Sequence, residues 1–146
     1  MNNSNKNSVN TRLLQAEDGI RVSLLDYGAA IQSIEVPSAQ GPVNVVLGYE
    51  NEEDYLEDPF CMGSTVGRFA GRIDSGRFVL NGKTYELDRN VKTNGHCLHG
   101  GSGGFHRCFW DVDEDPNSNA VAFHLESPDG DQGFPGKMKV VTRYSV

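Results

Sequence analysis

The dipeptide Asn81-Gly82 constrains this chain more than any other feature. Both central residues of a type I′ turn need positive φ, and Asn-Gly accepts this at low cost. A two-residue loop then sets the register of its flanks. Leu80 faces Lys83, Val79 faces Thr84, Phe78 faces Tyr85 and Arg77 faces Glu86. An aromatic pair falls on one face and an opposite-charge pair on the other, each worth about 0.2–1 kcal/mol. Residues Gly76 to Leu87 are therefore predicted to form a β-hairpin.

The rest of the chain agrees with a β architecture. Ile20 to Leu25, Ile31 to Val36 and Val43 to Leu47 are short β-rich runs bounded by Gly, Pro or Asn, with turns at Asp26-Tyr27-Gly28 and over residues 38–42. Val121, Phe123 and Leu125 alternate with Ala122, His124 and Glu126, and Met138, Val140, Thr142 and Tyr144 alternate with Lys139, Val141 and Arg143. Residues 51–56 (NEEDYL) suit one helical turn, with Asn51 as its N-cap and acidic residues at its positive end. No stretch sustains a 3.6-residue apolar period. The predicted class is all-β, a sandwich or barrel of short strands and tight turns. The last strand is still alternating at Val146, so the chain is expected to be a truncated part of a longer one.

A length of 146 residues points to one domain. Its first ten residues, MNNSNKNSVN, have no apolar core for a secretory signal and are expected to form a loose tail, leaving 11–146 as the folded domain. No run approaches the roughly 20 apolar residues that span a bilayer, so no membrane is expected. A net charge of −7 argues against a nucleic-acid partner, which rewards basic surfaces. Three cysteines (Cys61, Cys97 and Cys108) form no paired framework; reduced thiols in a cytoplasmic protein are expected.

Candidate chemistry lies on both sides of the hairpin. Arg68 and Arg72 precede it in a glycine-punctuated segment, and His99 follows it at the head of His-Gly-Gly-Ser-Gly-Gly. The hairpin thus carries a cation and an imidazole at its two ends. The arginines also suit a plain surface role, or pairing with Asp58 or Asp74. A glycine-flanked imidazole titrates near neutral pH and suits acid–base work or binding of sugar hydroxyls.

Other motifs fail on context. Gly100-Gly101-Ser102-Gly103-Gly104 matches G-x-S-x-G, yet no helix follows the serine as a nucleophile elbow demands. Those glycines read instead as a loop allowing close backbone approach. His96, Cys97, His99, His106 and Cys108 lack the paired spacing of a zinc site, and Asp129-Gly130-Asp131 lacks the other ligands of a calcium loop. No metal or other cofactor is expected. His124 falls on the outward face of its strand.

Several stretches together resemble one known family, the aldose 1-epimerases. They are GRFAGRI over residues 67–73, the hairpin from Gly76 to Leu87, Asn90, and Leu98-His99-Gly100-Gly101. Gly104-Phe105, Trp110 and SPDGDQGFPG over residues 127–136 complete the set, with LDYGA at 25–29 and VLGY at 46–49 near the start. The resemblance runs from about Leu14 to Tyr144. It implies a galactose mutarotase-like β-sandwich and a cofactor-free isomerase that interconverts the α and β anomers of free aldoses such as glucose and galactose. It places substrate-binding Arg72 and catalytic, substrate-binding His99 at the site, and makes Arg68 structural.

The same resemblance implies a second histidine, in an Asn-His-x-Tyr-Phe-Asn segment, and a glutamate base. Neither has a match here; both would lie beyond Val146, as in the N-terminal half of a longer enzyme, so the chain alone is expected to be inactive. A non-catalytic carbohydrate-binding or interaction sandwich is the alternative reading, and a form acting on hexose 6-phosphates a third. Cut sheet edges are expected to favour self-association.

Overall fold

The computed structural model describes residues 8–114 and 118–146. Eleven strands are described: β1 (Thr11–Gln15), β2 (Arg21–Leu25), β3 (Ala30–Val36), β4 (Val43–Asn44), β5 (Arg72–Ile73), β6 (Arg77–Leu80), β7 (Lys83–Glu86), β8 (Cys97–Leu98), β9 (Asp111–Glu114), β10 (Ala120–Ser127) and β11 (Met138–Ser145). All pair antiparallel, in sheets ordered β1-β2-β3-β4, β11-β10-β9, β5-β8 and β6-β7. Helical structure among the described residues is limited to short 3₁₀ turns.

The two larger sheets close on one apolar cluster. Leu14, Val22 and Leu24 face inward from β1 and β2, Val121 and Phe123 from β10, and Trp110 lies between them. Val22 and Leu24 share a face because strand side chains alternate, and Leu25 points the other way into a second cluster with Tyr27 and Tyr55. In β3, Ile31 and Ile34 both reach the first cluster, although three residues apart they should face oppositely. A bulge resolves this: Ser23 pairs with Ser33 but Leu24 with Ile31, which leaves Gln32 as the extra residue.

The hairpin has the expected register, with Asn81 at φ 52° and Gly82 at φ 77°. Phe78 and Tyr85 stack with ring centroids 5.4 Å apart. The expected charge pair is different: Glu86 binds Arg89 at 2.6 Å rather than Arg77. Arg89 lies three residues on in sequence and reaches the carboxylate without crossing the ladder. The expected strand Val43 to Leu47 stops at Asn44, whose Oδ1 accepts the N–H groups of Ile34 and Val46 in place of the ladder. The turn expected over residues 51–56 is a 3₁₀ turn at Glu52–Glu57. Asn51 precedes it, but its side chain donates to the Asp54 carboxylate instead of capping a backbone N–H.

The loose tail expected over residues 1–10 needs correction at its inner end, residues 1–7 lying outside the described residues. Val9 is buried beside Leu25 and Tyr55. Asn10 donates its backbone N–H and its side-chain amide to the Asp26 carboxylate, both at 2.9 Å. An apolar side chain and an amide with a buried partner outweigh the tail's polar composition from Val9 onward.

Arg68 carries the densest set of side-chain bonds linking distant segments. Its guanidinium donates to Ser127 Oγ (2.8 Å), Ser127 O (3.0 Å), Pro128 O (2.6 Å) and Pro135 O (2.9 Å). It thereby ties the glycine-rich 67–71 segment to the end of β10 and the turn that follows. Replacing Arg68 with Ala strips a donor from the nearly fully buried Ser127 and is expected to cost about 2–3 kcal/mol in urea unfolding. Lys should recover little of this, because a point charge cannot reproduce the planar fork. A loss under about 0.5 kcal/mol would show the cluster to be an ordinary surface contact.

Candidate functional site

Two very short strands hold the candidate site. β5 pairs with β8 so that Arg72 faces Leu98 and Ile73 faces Cys97. Ile73 and Cys97 turn inward with Leu87 and Phe134, which puts Arg72 and Leu98 on the other face. Asn90 anchors β8 from its far side. Its Nδ2 donates to Leu98 O at 2.9 Å and its Oδ1 accepts Leu98 N–H at 2.7 Å, the pair of hydrogen bonds that a neighbouring strand would exchange.

His99 follows β8 directly, with φ 54°. Two hydrogen bonds fasten it to Gly71. Its own N–H donates to Gly71 O (2.9 Å), and Gly71 N–H donates to its Nδ1 (3.1 Å). An imidazole whose Nδ1 accepts carries its proton on Nε2 when neutral, so His99 is a fixed donor at Nε2. The glycine loop beyond it is pinned from two sides. Asp88 accepts both the backbone N–H and the hydroxyl of Ser102, which lowers its carboxyl pKa, and Gln132 Oε1 accepts Gly103 N–H at 3.0 Å. The Ser102 hydroxyl thus points to a carboxylate and not to an imidazole, unlike the serine of a Ser-His pair.

His99 opens on a cavity of about 370 Å³, which Asp58, Asn90, Leu98, Ser102, His106 and Arg107 also line. Asp58 is buried, and its carboxylate accepts Tyr49 Oη (3.1 Å) and the N–H groups of Phe60 (2.8 Å) and Met62 (2.6 Å). It therefore organises one wall and has little capacity left for a ligand. Cys61, on the same wall, is held as a neutral thiol, its pKa raised by burial and then by Asp58. Among the described residues no group of three or more His, Cys, Asp and Glu is placed to hold a metal ion.

Residues 11–146 match the family model described as aldose 1-epimerase. The chain belongs to the aldose 1-epimerase family. Its relatives include the galactose mutarotase of Bos taurus, 41% identical over 132 residues, and the aldose 1-epimerase of Haemophilus influenzae, 40% identical over 133. Those alignments cover 88% and 91% of this chain but 37% and 38% of the relatives. The chain thus spans little more than a third of their length, less than the half expected. Two solved structures agree in fold. An aldose epimerase homologue from C. elegans gives a TM-score of 0.85 at 28% identity, covering 95% of this chain and 42% of that one. A galactose 1-epimerase from Lactobacillus acidophilus gives 0.80 at 29%, covering 99% and 42%. The antiparallel sandwich is accordingly that of the galactose mutarotase-like fold.

The aldose 1-epimerase reading singled out Arg72 and His99, and the structure brings their backbones together through the β5–β8 ladder. It places only His99 on the cavity. Arg72 is exposed and stands on the Leu98 face, outside the residues that line it. Asp58, His106 and Arg107 were not read from the sequence as parts of this site. They converge from segments some fifty residues apart, with no local spacing to announce them. His124 lies outward on β10 as expected, 3.9 Å from Asp113. No described helix is long and apolar enough to cross a membrane.

Proposed function

We propose that this chain supplies the first histidine and the arginine of a site that interconverts the anomers of free aldoses, with galactose and glucose as substrates. The observation that carries this reading is the Gly71 N–H bond to His99 Nδ1, which leaves Nε2–H as a fixed donor at the cavity. That donor suits the ring oxygen or a neighbouring hydroxyl. Arg72 offers up to five N–H donors in a rigid plane to the remaining sugar oxygens once its flexible side chain turns toward the Leu98 side of the cavity.

Anomer exchange requires a base to take the C1 hydroxyl proton while an acid protonates the ring oxygen. The open aldehyde then turns about C1–C2, and the ring closes on the opposite face. His99 stabilises the charge developing on oxygen from its fixed position. No segment of the 146 residues matches the second histidine or the glutamate base that the family resemblance implies. The chain alone is therefore expected to bind aldoses with little or no turnover.

Calorimetric titration of the chain with D-galactose tests this. Binding is expected, and His99→Ala should weaken it at least about tenfold, the loss of one well-placed hydrogen bond in a desolvated site. A chain that binds neither galactose nor glucose, or an Ala variant that binds as the parent does, would remove His99 from a sugar site.

A further inference from the structure

Three imidazoles lie near the β5–β8 ladder, and the protein fixes two of them. Gly71 N–H occupies Nδ1 of His99, and Ser75 N–H occupies Nδ1 of His96 at 3.0 Å. The His99 ring thereby carries its proton on Nε2 when neutral, while Nδ1 of His96 also lies 3.2 Å from Asp74 Oδ1. His106 is different. It is only 8% exposed, lines the same cavity as His99, and its buried Nδ1 has no hydrogen-bond partner among the described residues.

Buried polar atoms nearly always have partners, and one without a partner marks a ring that the protein leaves uncommitted; Nδ1 itself is enclosed, so an occupant of the cavity meets the ring elsewhere on its edge. Gly104 lets that edge of the ring pack against the backbone, since a Cβ at that position would meet His106 Cε1 at 2.9 Å and Nδ1 at 3.0 Å. Burial, then the Arg107 guanidinium, then His99 lower the His106 pKa, with only Asp58 opposing them. The ring is accordingly neutral at pH 7 and offers one donor and one acceptor. With no backbone group claiming a nitrogen, the position of the proton is left open.

We propose that His106 is a second sugar-contacting imidazole of the cavity, and that the bound sugar sets which of its nitrogens carries the proton. The proposal deepens the aldose reading above and rests on it. The chemistry fits an anomer-exchanging site. The two anomers present the C1 hydroxyl on opposite faces of the ring, and a hydroxyl can both donate and accept. A fixed donor at His99 beside a group of reversible polarity at His106 accommodates either anomer without rebuilding the wall.

Long-range ¹H–¹⁵N spectra of the labelled chain, titrated with D-galactose, read ring tautomers directly. His99 should keep its Nε2–H pattern throughout. His106 should change its tautomer balance on binding, with the same Kd as the His99 shifts. By calorimetry, His106→Phe should weaken galactose about tenfold, while His106→Gln, which keeps a donor and an acceptor, should stay within about threefold. Near-UV ellipticity of the buried Trp110 checks that each variant is folded. If His106→Phe does not fold, the wild-type tautomer titration decides. Static His106 resonances while His99 titrates, or a folded Phe variant that binds like the parent, overturn the proposal and leave the aldose reading standing. No response from either ring overturns both.

Discussion

Replacing Trp110 with Ala is expected to destabilise the chain by about 3–5 kcal/mol, the usual cost of removing a buried aromatic side chain. Trp110 is 0% exposed and sits where the two larger sheets meet. Leu14, Val22 and Leu24 approach it from one side, and Val121 and Phe123 from the other. Its ring meets Phe105 edge-on with centroids 6.0 Å apart, and Nε1–H donates to Phe105 O at 3.1 Å. Its backbone N–H binds Asp26 O at 2.7 Å, so the same residue couples the core to the start of the chain through Asn10. Neither sheet alone can refill that volume, because each is held in register by its own ladder. Against a typical stability of about 5–15 kcal/mol, the loss would leave a large unfolded fraction in mild urea. Trp110→Phe keeps most of the contact area and should cost less than half as much. An Ala variant within about 1 kcal/mol of the parent would show that the sheets do not share a core here.

The parts of this fold that a reader of the sequence can see are those set by local chemistry. Asn81-Gly82 dictates a turn, the turn dictates a register, and Phe78 meets Tyr85 without help from the rest of the chain. The alternation of Val121 and Phe123 likewise announces which face of β10 is buried. What stays hidden is decided at a distance. The bulge at Gln32 exists because two isoleucines three residues apart both find apolar partners. Val9 is buried because Leu25 and Tyr55 provide a place for it, whatever its neighbours' polarity suggests. The site follows the same division. His99 stands out by its glycine run, and family resemblance adds Arg72. Yet β5 and β8 are two residues long and carry no strand signal of their own. Asp58, His106 and Arg107 join the cavity only through tertiary closure.

Gly100→Ala is expected to damage stability and the site together. Gly100 follows His99 with φ +87°, a conformation costly for any residue with a Cβ. A Cβ there would lie 1.7 Å from Gly67 O, 2.4 Å from Gly67 C and 2.7 Å from Arg68 N. All three are backbone atoms, so no side-chain rotation relieves the overlap. Gly67 O also accepts Phe105 N–H at 3.2 Å, and Arg68 is held by four bonds to residues 127–135, which prevents that strand of chain from retreating. The loop carrying His99 must move instead, pulling Nδ1 from Gly71 N–H. A cost of about 3 kcal/mol or more is expected from strain and lost contacts, together with loss of galactose binding. Gly82→Ala provides the control. Gly82 has a similar φ of +77° but nothing within 4 Å of its Cβ position, so only the conformational cost of roughly 1–2 kcal/mol applies and binding should persist. Urea unfolding and galactose titration of both variants separate the two effects. If the two behave alike, the close approach of the glycine run to Gly67 is not what holds His99 at the cavity.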